Sequence, residues 1–267
     1  MSAFSRMIKQ TDNRLVQCVD QSLNHALLST QDASSSFYTI EGMSGYKYRH
    51  FINTLVRHST ANQYLEVGSW MGSTLCSAIH GNRVRAVAID NWSLFGGPKD
   101  AFLENVKQFQ TEQAEVFLIE GDFRQVDYHN MRDVFGAFNI YLFDGPHEEQ
   151  DQFDGLQVAL PCVDDVFVFI VDDWNWEPVR TGTKRAIQTF GLEPLYAAEI
   201  RTSMDNSHGD PAGRASAWHN GYFISVLKKG EGTPALPAAA PAANSVAAQS
   251  AIAEKPAAKT EKGKSRK

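Results

Sequence analysis

Asp144, within Phe-Asp-Gly-Pro-His, and the pair Asp172-Asp173, within Ile-Val-Asp-Asp-Trp, lie 28 residues apart, and each follows a short apolar run. Carboxylates are hard oxygen donors of the kind that hold Mg2+ or Mn2+. The runs Phe138 to Phe143 and Val166 to Val171 are too apolar for exposed strands and too short for helices. They read as central strands of a parallel sheet. Neighbouring strands lie about 4.8 Å apart, so three carboxylates at their C-terminal ends can share one cation. The segment between them supplies the crossover helix that parallel strands require. Glu148-Glu149-Gln150-Asp151 is an acidic first turn, Phe153, Leu156, Ala159 and Leu160 recur at helical spacing, and Pro161 ends the run.

A second constellation lies upstream. Leu65-Glu66-Val67-Gly68-Ser69-Trp70-Met71-Gly72-Ser73-Thr74 reads as a strand entering a glycine-bearing turn and then the helix Leu75 to Ile79. The two glycines are four apart and an acid precedes the first, unlike the dinucleotide pattern. Glu66 would repel phosphate, which favours a cationic or zwitterionic ligand and argues against a sugar-nucleotide transferase. A strand from Val84 to Ile89 ends in Asp90, placed to bind ribose hydroxyls. A further strand, Glu115 to Ile119, ends in Gly121-Asp122-Phe123, a carboxylate and a ring for adenine. Acids at four successive strand ends imply a nucleoside ligand without a pyrophosphate.

These motifs resemble class I S-adenosylmethionine-dependent methyltransferases, and among them the cation-dependent O-methyltransferases, over roughly Ser44 to Lys228. The wording Asp-Gly-x-His and Asp-Asp-Trp is closer to the macrocin and sugar O-methyltransferase branch than to the catechol branch. The resemblance implies an α/β fold with a doubly wound, mostly parallel, seven-stranded Rossmann-like sheet preceded by helices. It implies cofactor contacts from Glu66, Gly68, Ser69, Gly72, Ser73 and Thr74, from Asp90 and Asn91, from Asp122 and Phe123, and from Asp144. Asp144, Asp172 and Asp173 become the ligands of Mg2+ or Mn2+. Where the catechol branch keeps a lysine base, three residues after the first ligand, this chain has His147, so the catalytic residues implied are His147 and Asp144. The domains expected are an N-terminal helical lid or cap over 1–60, an S-adenosylmethionine-binding domain over 61–229, and a disordered tail over 230–267.

Composition limits the partners. The first 230 residues carry 19 Lys and Arg against 28 Asp and Glu, a net charge of −9, which argues against nucleic acid. Beyond Phe223 no aromatic residue occurs, and the end is rich in Ala, Pro and Lys, a composition that cannot offset ordering entropy. Cys18, Cys76 and Cys162 lack metal-type spacing. No apolar run approaches membrane-spanning length and no basic start leads into an apolar core, so the expected location is cytoplasmic. The expected partner is a small-molecule hydroxyl acceptor, and a homo-oligomer stays open.

The supporting elements follow. Amphipathic helices are expected around Leu15 to Leu28 and Tyr46 to Val56, with Met43-Ser44-Gly45 placed to meet the methionine end of a cofactor. Trp174 to Arg180 reads as an aromatic loop and Lys184 to Phe190 as the helix behind it. Trp174 and Trp176 could wall the acceptor or pack on the 53–57 region. Strands Leu195 to Arg201 and Gly221 to Leu227 close the sheet, and the resemblance makes the last antiparallel to its neighbours. Between them Thr202 to Asn220 is a candidate substrate lid, whose His208 and His219 read as solvated residues without a role. Two alternatives remain: a metal-dependent hydroxylase of the cephalosporin-hydroxylase-like type, using Asp144, His147 and one acid of the pair on iron, and a non-catalytic nucleoside-binding protein.

Overall fold

Apolar runs rich in Val, Ile and Phe alternate along the chain with helices that bury one face, a pattern that builds a sheet with helices on both sides. The computed structural model describes residues 3–30, 36–60, 62–231, 233 and 249–250. In chain order the elements are β1 (Ala3–Ile8), α1 (Arg14–Leu28), α2 (Tyr46–His58), β2 (Gln63–Val67), α3 (Ser73–Ile79), β3 (Val84–Asp90), α4 (Lys99–Phe109), β4 (Ala114–Glu120), α5 (Tyr128–Phe135), β5 (Phe138–Phe143), α6 (Glu149–Ala159), β6 (Val163–Val171), α7 (Glu177–Thr189), β7 (Glu193–Arg201), β8 (Tyr222–Lys228) and β9 (Gln249–Ser250).

The sheet order is β1-β7-β8-β6-β5-β2-β3-β4-β9. Strands β6, β5, β2, β3 and β4 are parallel, and β8 lies antiparallel between β6 and β7, as the resemblance implied. Two features correct the expectation of seven strands, mostly parallel. Among the described residues the sheet has nine strands, and β1 and β9 extend its two edges antiparallel to β7 and β4. Parallel and antiparallel pairings are therefore four of each. The sequence hid β1 because all six of its side chains are exposed, leaving no alternation to read. Its backbone pairs from Ala3↔Arg201 to Ile8↔Tyr196, and Lys9–Glu193 and Arg6–Asp20 ion pairs at 3.0 and 2.9 Å flank it. As exposed pairs these contribute little.

The pleat divides the core into two halves. Tyr64, Ala86, Ala88, Ile140, Leu142 and Ile170 pack with α1, α2, α3 and α4, so the N-terminal helices share the core of the sheet. Leu65, Val67, Val87, Ile89, Tyr141 and Phe143 pack on the other face with α5, α6 and α7. Helix α2 buries Tyr48, Phe51, Ile52 and Leu55 completely, a 3.6-residue period, each worth roughly 1.5–3 kcal/mol of apolar burial. Helix α7 begins at Glu177, within the segment read as a loop, because Pro178 is preorganised for a first helical turn. The expected tail lies mostly outside the described residues. Of it, Gln249–Ser250 pairs with Phe117 and Leu118 of β4. Among the described residues no helix is long and apolar enough to cross a membrane.

Strand β2 pairs with β3 on one side and β5 on the other, and the chain order reverses there. Doubly wound sheets bind ligands outside the strand C-termini at this point.

Candidate active site

A cleft of about 570 Å3 opens at that switch point, within the ~300–1,000 Å3 of small-molecule sites. Its lining comes from the ends of β2, β3, β4, β5 and β6 and from the loop between β7 and β8. It includes seven carboxylates, Asp90, Asp122, Asp144, Glu148, Asp151, Asp172 and Asp173, against one arginine, Arg124. Arg124 is itself paired with Asp151 at 2.5 Å and Asp154 at 2.8 Å. Low-dielectric walls focus such a field, so the cleft favours cations and opposes phosphates.

The acids converge where β5 and β6 end. Asp144, His147 and Asp173 each offer a donor atom, and the three atoms lie within 4.8 Å of one another. His147 Nε2 is 2.8 Å from Asp173 Oδ2, and its ring meets the Trp176 ring edge-on at 4.6 Å. Asn220 Nδ2 donates to Asp173 Oδ1 at 2.6 Å. Asp172 Oδ1 accepts from the Asp173 N–H at 2.6 Å, and Asp172 also lines the cleft. Asp173 adopts φ 57°, a left-handed conformation that costs a non-glycine residue energy. Burial, then the charges of Asp172 and Asp173, push the Asp144 carboxyl well above the ordinary range. Burial and Asp173 do the same to Asp172. Burial would also raise Asp173, but the hydrogen bond and charge of His147, with the Asn220 amide, outweigh it and hold that carboxyl low.

The other half of the cleft is built on β3 and β4. Gly68, Asp90, Asn91, Asp122 and Phe123 line the cleft. Asp90 is already engaged: Oδ2 accepts from the N–H groups of Ser69 and Trp70, both at 2.8 Å, and Oδ1 from that of Trp92 at 2.7 Å. Two oxygens with about four acceptor sites retain capacity for a ligand hydroxyl. Asn91 Oδ1 accepts from the Ser93 N–H and hydroxyl in a local turn. Asp122 caps Arg124 N at 2.9 Å, and the Arg124 guanidinium lies over the Phe123 ring at 4.4 Å.

Five sequence candidates do not line the cleft: Glu66, Ser69, Gly72, Ser73 and Thr74. Glu66 is fully buried and its Oε2 accepts from the Tyr64 hydroxyl at 2.5 Å. The Ser73 hydroxyl meets that of Ser44 at 2.8 Å, fastening the N-terminal segment to α3. Ser69 acts through its backbone N–H on Asp90. Gly68, at φ 83°, brings two loops together, since an added Cβ would sit 1.9 Å from the Asp144 carbonyl oxygen. Met43 does line the cleft, while buried Arg49 donates to the carbonyls of Ile40 at 2.8 Å and Ser44 at 3.2 Å and holds that segment in place.

Residues that the sequence did not single out complete the walls. Trp70, Trp92, Leu94 and Phe95 frame the side next to Asp90, with Trp92 Nε1 donating to the Trp70 carbonyl at 2.9 Å and Trp70 Nε1 to that of Phe95 at 3.2 Å. His208 and His219 line the opposite side; His208 is exposed, in keeping with its reading as a solvated residue, whereas His219 is buried, which corrects that reading for His219 alone. Asn175 and Asn220 fold the 202–220 loop inward. Asn175 Oδ1 accepts from the N–H groups of Thr202 at 2.8 Å and Ser203 at 3.1 Å, and Asn220 Oδ1 from that of Gly209 at 2.9 Å. The tryptophans divide: Trp176 lines the cleft, whereas Trp174 is buried, stacked on Phe223 at 4.6 Å. Trp70, Trp92, Phe95, Asp173 and His219 are five of the six non-glycine residues with positive φ among the described residues, and all five line this cleft. Strain gathered at one place marks a functional site.

No protein-family model and no curated protein matches the chain. Among solved structures it is similar to an O-methyltransferase from Bacillus cereus in complex with SAH, at 17% identity over 82% of this chain and 92% of that one, with a TM-score of 0.47. It is also similar to the O-methyltransferase TomG from Streptomyces achromogenes, involved in tomaymycin synthesis and in complex with SAM, at 14% identity over 84% and 93% with a TM-score of 0.48. The SAH-bound methyltransferase PaMTH1 from Podospora anserina matches at 12% identity over 84% and 91%, with a TM-score of 0.46. At these identities and scores no residue role passes from those proteins to this chain.

Proposed function

We propose that the chain is an S-adenosylmethionine-dependent O-methyltransferase that uses a divalent cation and methylates a hydroxyl of a small molecule, a sugar or another natural product. The observation that carries this reading is one cleft at the strand C-termini in which the ends of β3 and β4, with Asp90, Asp122 and Phe123, and a donor cluster of Asp144, His147 and Asp173 face a common space lined by seven carboxylates. The donor chemistry fits a divalent cation, because two carboxylates and an imidazole are common ligands and the buried Asp144 carboxyl is opposed by the charges of Asp172, Asp173, Glu66 and Asp90. A cation bound there supplies positive charge that makes a coordinated hydroxyl more acidic.

The chain's own residues do the rest. Asp122 and Phe123 flank the base, and Asp90 uses its remaining acceptor capacity on the ribose. Met43 approaches from the N-terminal side, and Trp176, His208 and His219 bound the space left for the acceptor. The carboxylate field favours the sulfonium over its neutral product, which assists capture and release more than the methyl transfer itself.

Calorimetric titration of S-adenosylhomocysteine, with and without Mg2+ or Mn2+, tests this reading. Saturable binding at one site is expected, and no binding under either condition would overturn it. Asp90→Ala should weaken that binding about ten-fold, the cost of a lost hydrogen bond to a charged group, and an unchanged affinity would remove the ribose assignment. A metal-dependent hydroxylase would use the same three donors, but the nucleoside half has no task in it. Turnover that only ferrous iron restores after chelation would favour that alternative.

A further inference from the structure

The resemblance gives the cation three aspartates, and the structure arranges them otherwise. Asp172 and Asp173 are consecutive, yet they meet different partners. Asp172 lines the cleft beside Asp144, with its carboxyl also held by Tyr222, whose ring stacks on Tyr48 at 3.7 Å. Asp173, turned by its left-handed backbone, meets His147 and Asn220 in the cleft. The donor set that closes to within 4.8 Å is Asp144, His147 and Asp173, without Asp172.

We propose that the cation site of this chain is the mixed set Asp144, His147 and Asp173, one imidazole and two carboxylates, and that it selects a nitrogen-accepting divalent transition ion of the Co2+ or Zn2+ kind over Mg2+. The inference rests on the reading that a cation occupies this corner, and it assigns His147 as a ligand instead of the base. Three observations support that assignment. His147 Nε2 and Asp173 Oδ2 share a hydrogen bond of 2.8 Å, so both atoms face one corner, and a cation bound there would replace the proton between them. The ring is held edge-on against Trp176, and that indole meets His208 edge-on at 5.2 Å, which fixes the imidazole where it stands. Asn220 holds Asp173 Oδ1, so that Oδ2 is the oxygen turned to His147, an outer hydrogen bond of the kind that orients ligating carboxylates. Imidazole suits Zn2+, Fe2+ and Ni2+, whereas Mg2+ prefers carboxylate, carbonyl and water oxygens.

The test uses the full chain, stripped with chelator and titrated with Co2+, Zn2+ and Mg2+ by calorimetry, together with pulsed EPR of the Mn2+-loaded protein. Expected are 14N modulation from a directly bound imidazole, and a loss of at least roughly 100-fold in Co2+ affinity in His147→Gln with Mg2+ affinity within a few-fold of wild type. Asp172→Asn should keep the 14N signal. An oxygen-only spectrum, or equal Co2+ affinity in His147→Gln, overturns the inference, as does the absence of any ion binding. If His147→Gln does not fold, as judged by circular dichroism, the wild-type spectrum decides alone. S-adenosylhomocysteine affinity is measured in parallel: its retention alongside an oxygen-only site defeats this inference and leaves the methyltransferase reading standing, and its loss defeats that reading separately.

Discussion

Loading the chelator-stripped chain with a tightly bound divalent cation at about 100 times its dissociation constant should raise its unfolding midpoint by roughly 5–10 °C. Binding to the folded state alone contributes about 2.7 kcal/mol at that concentration, and a chain of this size moves about 2–4 °C per kcal/mol. The effect is large because the stripped corner is poorly compensated. Asp144, Asp172 and Asp173 meet behind apolar strands, and His147 and the Asn220 amide compensate only Asp173. Asp144→Asn removes one donor and one of the mutually repelling charges, so its stripped form should be no less stable than stripped wild type while its response to the ion nearly disappears. Differential scanning calorimetry at fixed pH reads both quantities. A wild-type midpoint that does not move with any of Mg2+, Mn2+, Co2+ or Zn2+ would take the cation out of the functional reading.

The strand-end acids were legible in the sequence for a simple reason. Phe138–Phe143 and the end of Val163–Val171 are apolar on both faces, so only buried parallel strands accommodate them, and whatever follows such a strand lies at the ligand-binding edge. Asp90, Asp122, Asp144, Asp172 and Asp173 all reach the cleft on that logic. The side toward which each acid turns was not legible. A consecutive Asp-Asp pair reads as two ligands, and it took the positive φ of Asp173 to send the two carboxylates to different partners. Sequence spacing also could not show that Asp90 spends both oxygens on the amides of Ser69, Trp70 and Trp92, because those contacts depend on how two loops meet. The 202–220 segment, polar and without period, gave no sign that Asn175 and Asn220 would fold it into a wall and bury His219. Strand β1 escaped because its six side chains are all exposed and its place is fixed by backbone pairing with β7.

Glu66→Gln should make the stripped chain more stable at alkaline pH by on the order of 3 kcal/mol, and leave it nearly unchanged near pH 5. Glu66 follows Tyr64 by two residues on the sheet face that packs beneath α2 and α3, and it is fully buried there. Burial pushes its carboxyl up from 4.5 to about 7, against the pull of the Tyr64 hydrogen bond. With the folded value above the unfolded one, the folded state holds the extra proton. The stabilisation that this group gives is complete below about pH 4.5, declines as pH rises, and is lost by the folded value of about 7. Above that, wild type folds around a buried charge, whereas glutamine keeps an acceptor for Tyr64 and carries none. Melting curves of both forms between pH 5 and 8.5 test the claim, and parallel curves would show that the charge is fully satisfied in the fold. A destabilising charge beside the Gly68 turn has a use if the ligand is a cation, as the proposed function requires. Glu66→Gln should then weaken S-adenosylmethionine, which carries the sulfonium, more than neutral S-adenosylhomocysteine at pH 8. Equal weakening of the two ligands, or none, would assign Glu66 to the fold and not to the methyl donor.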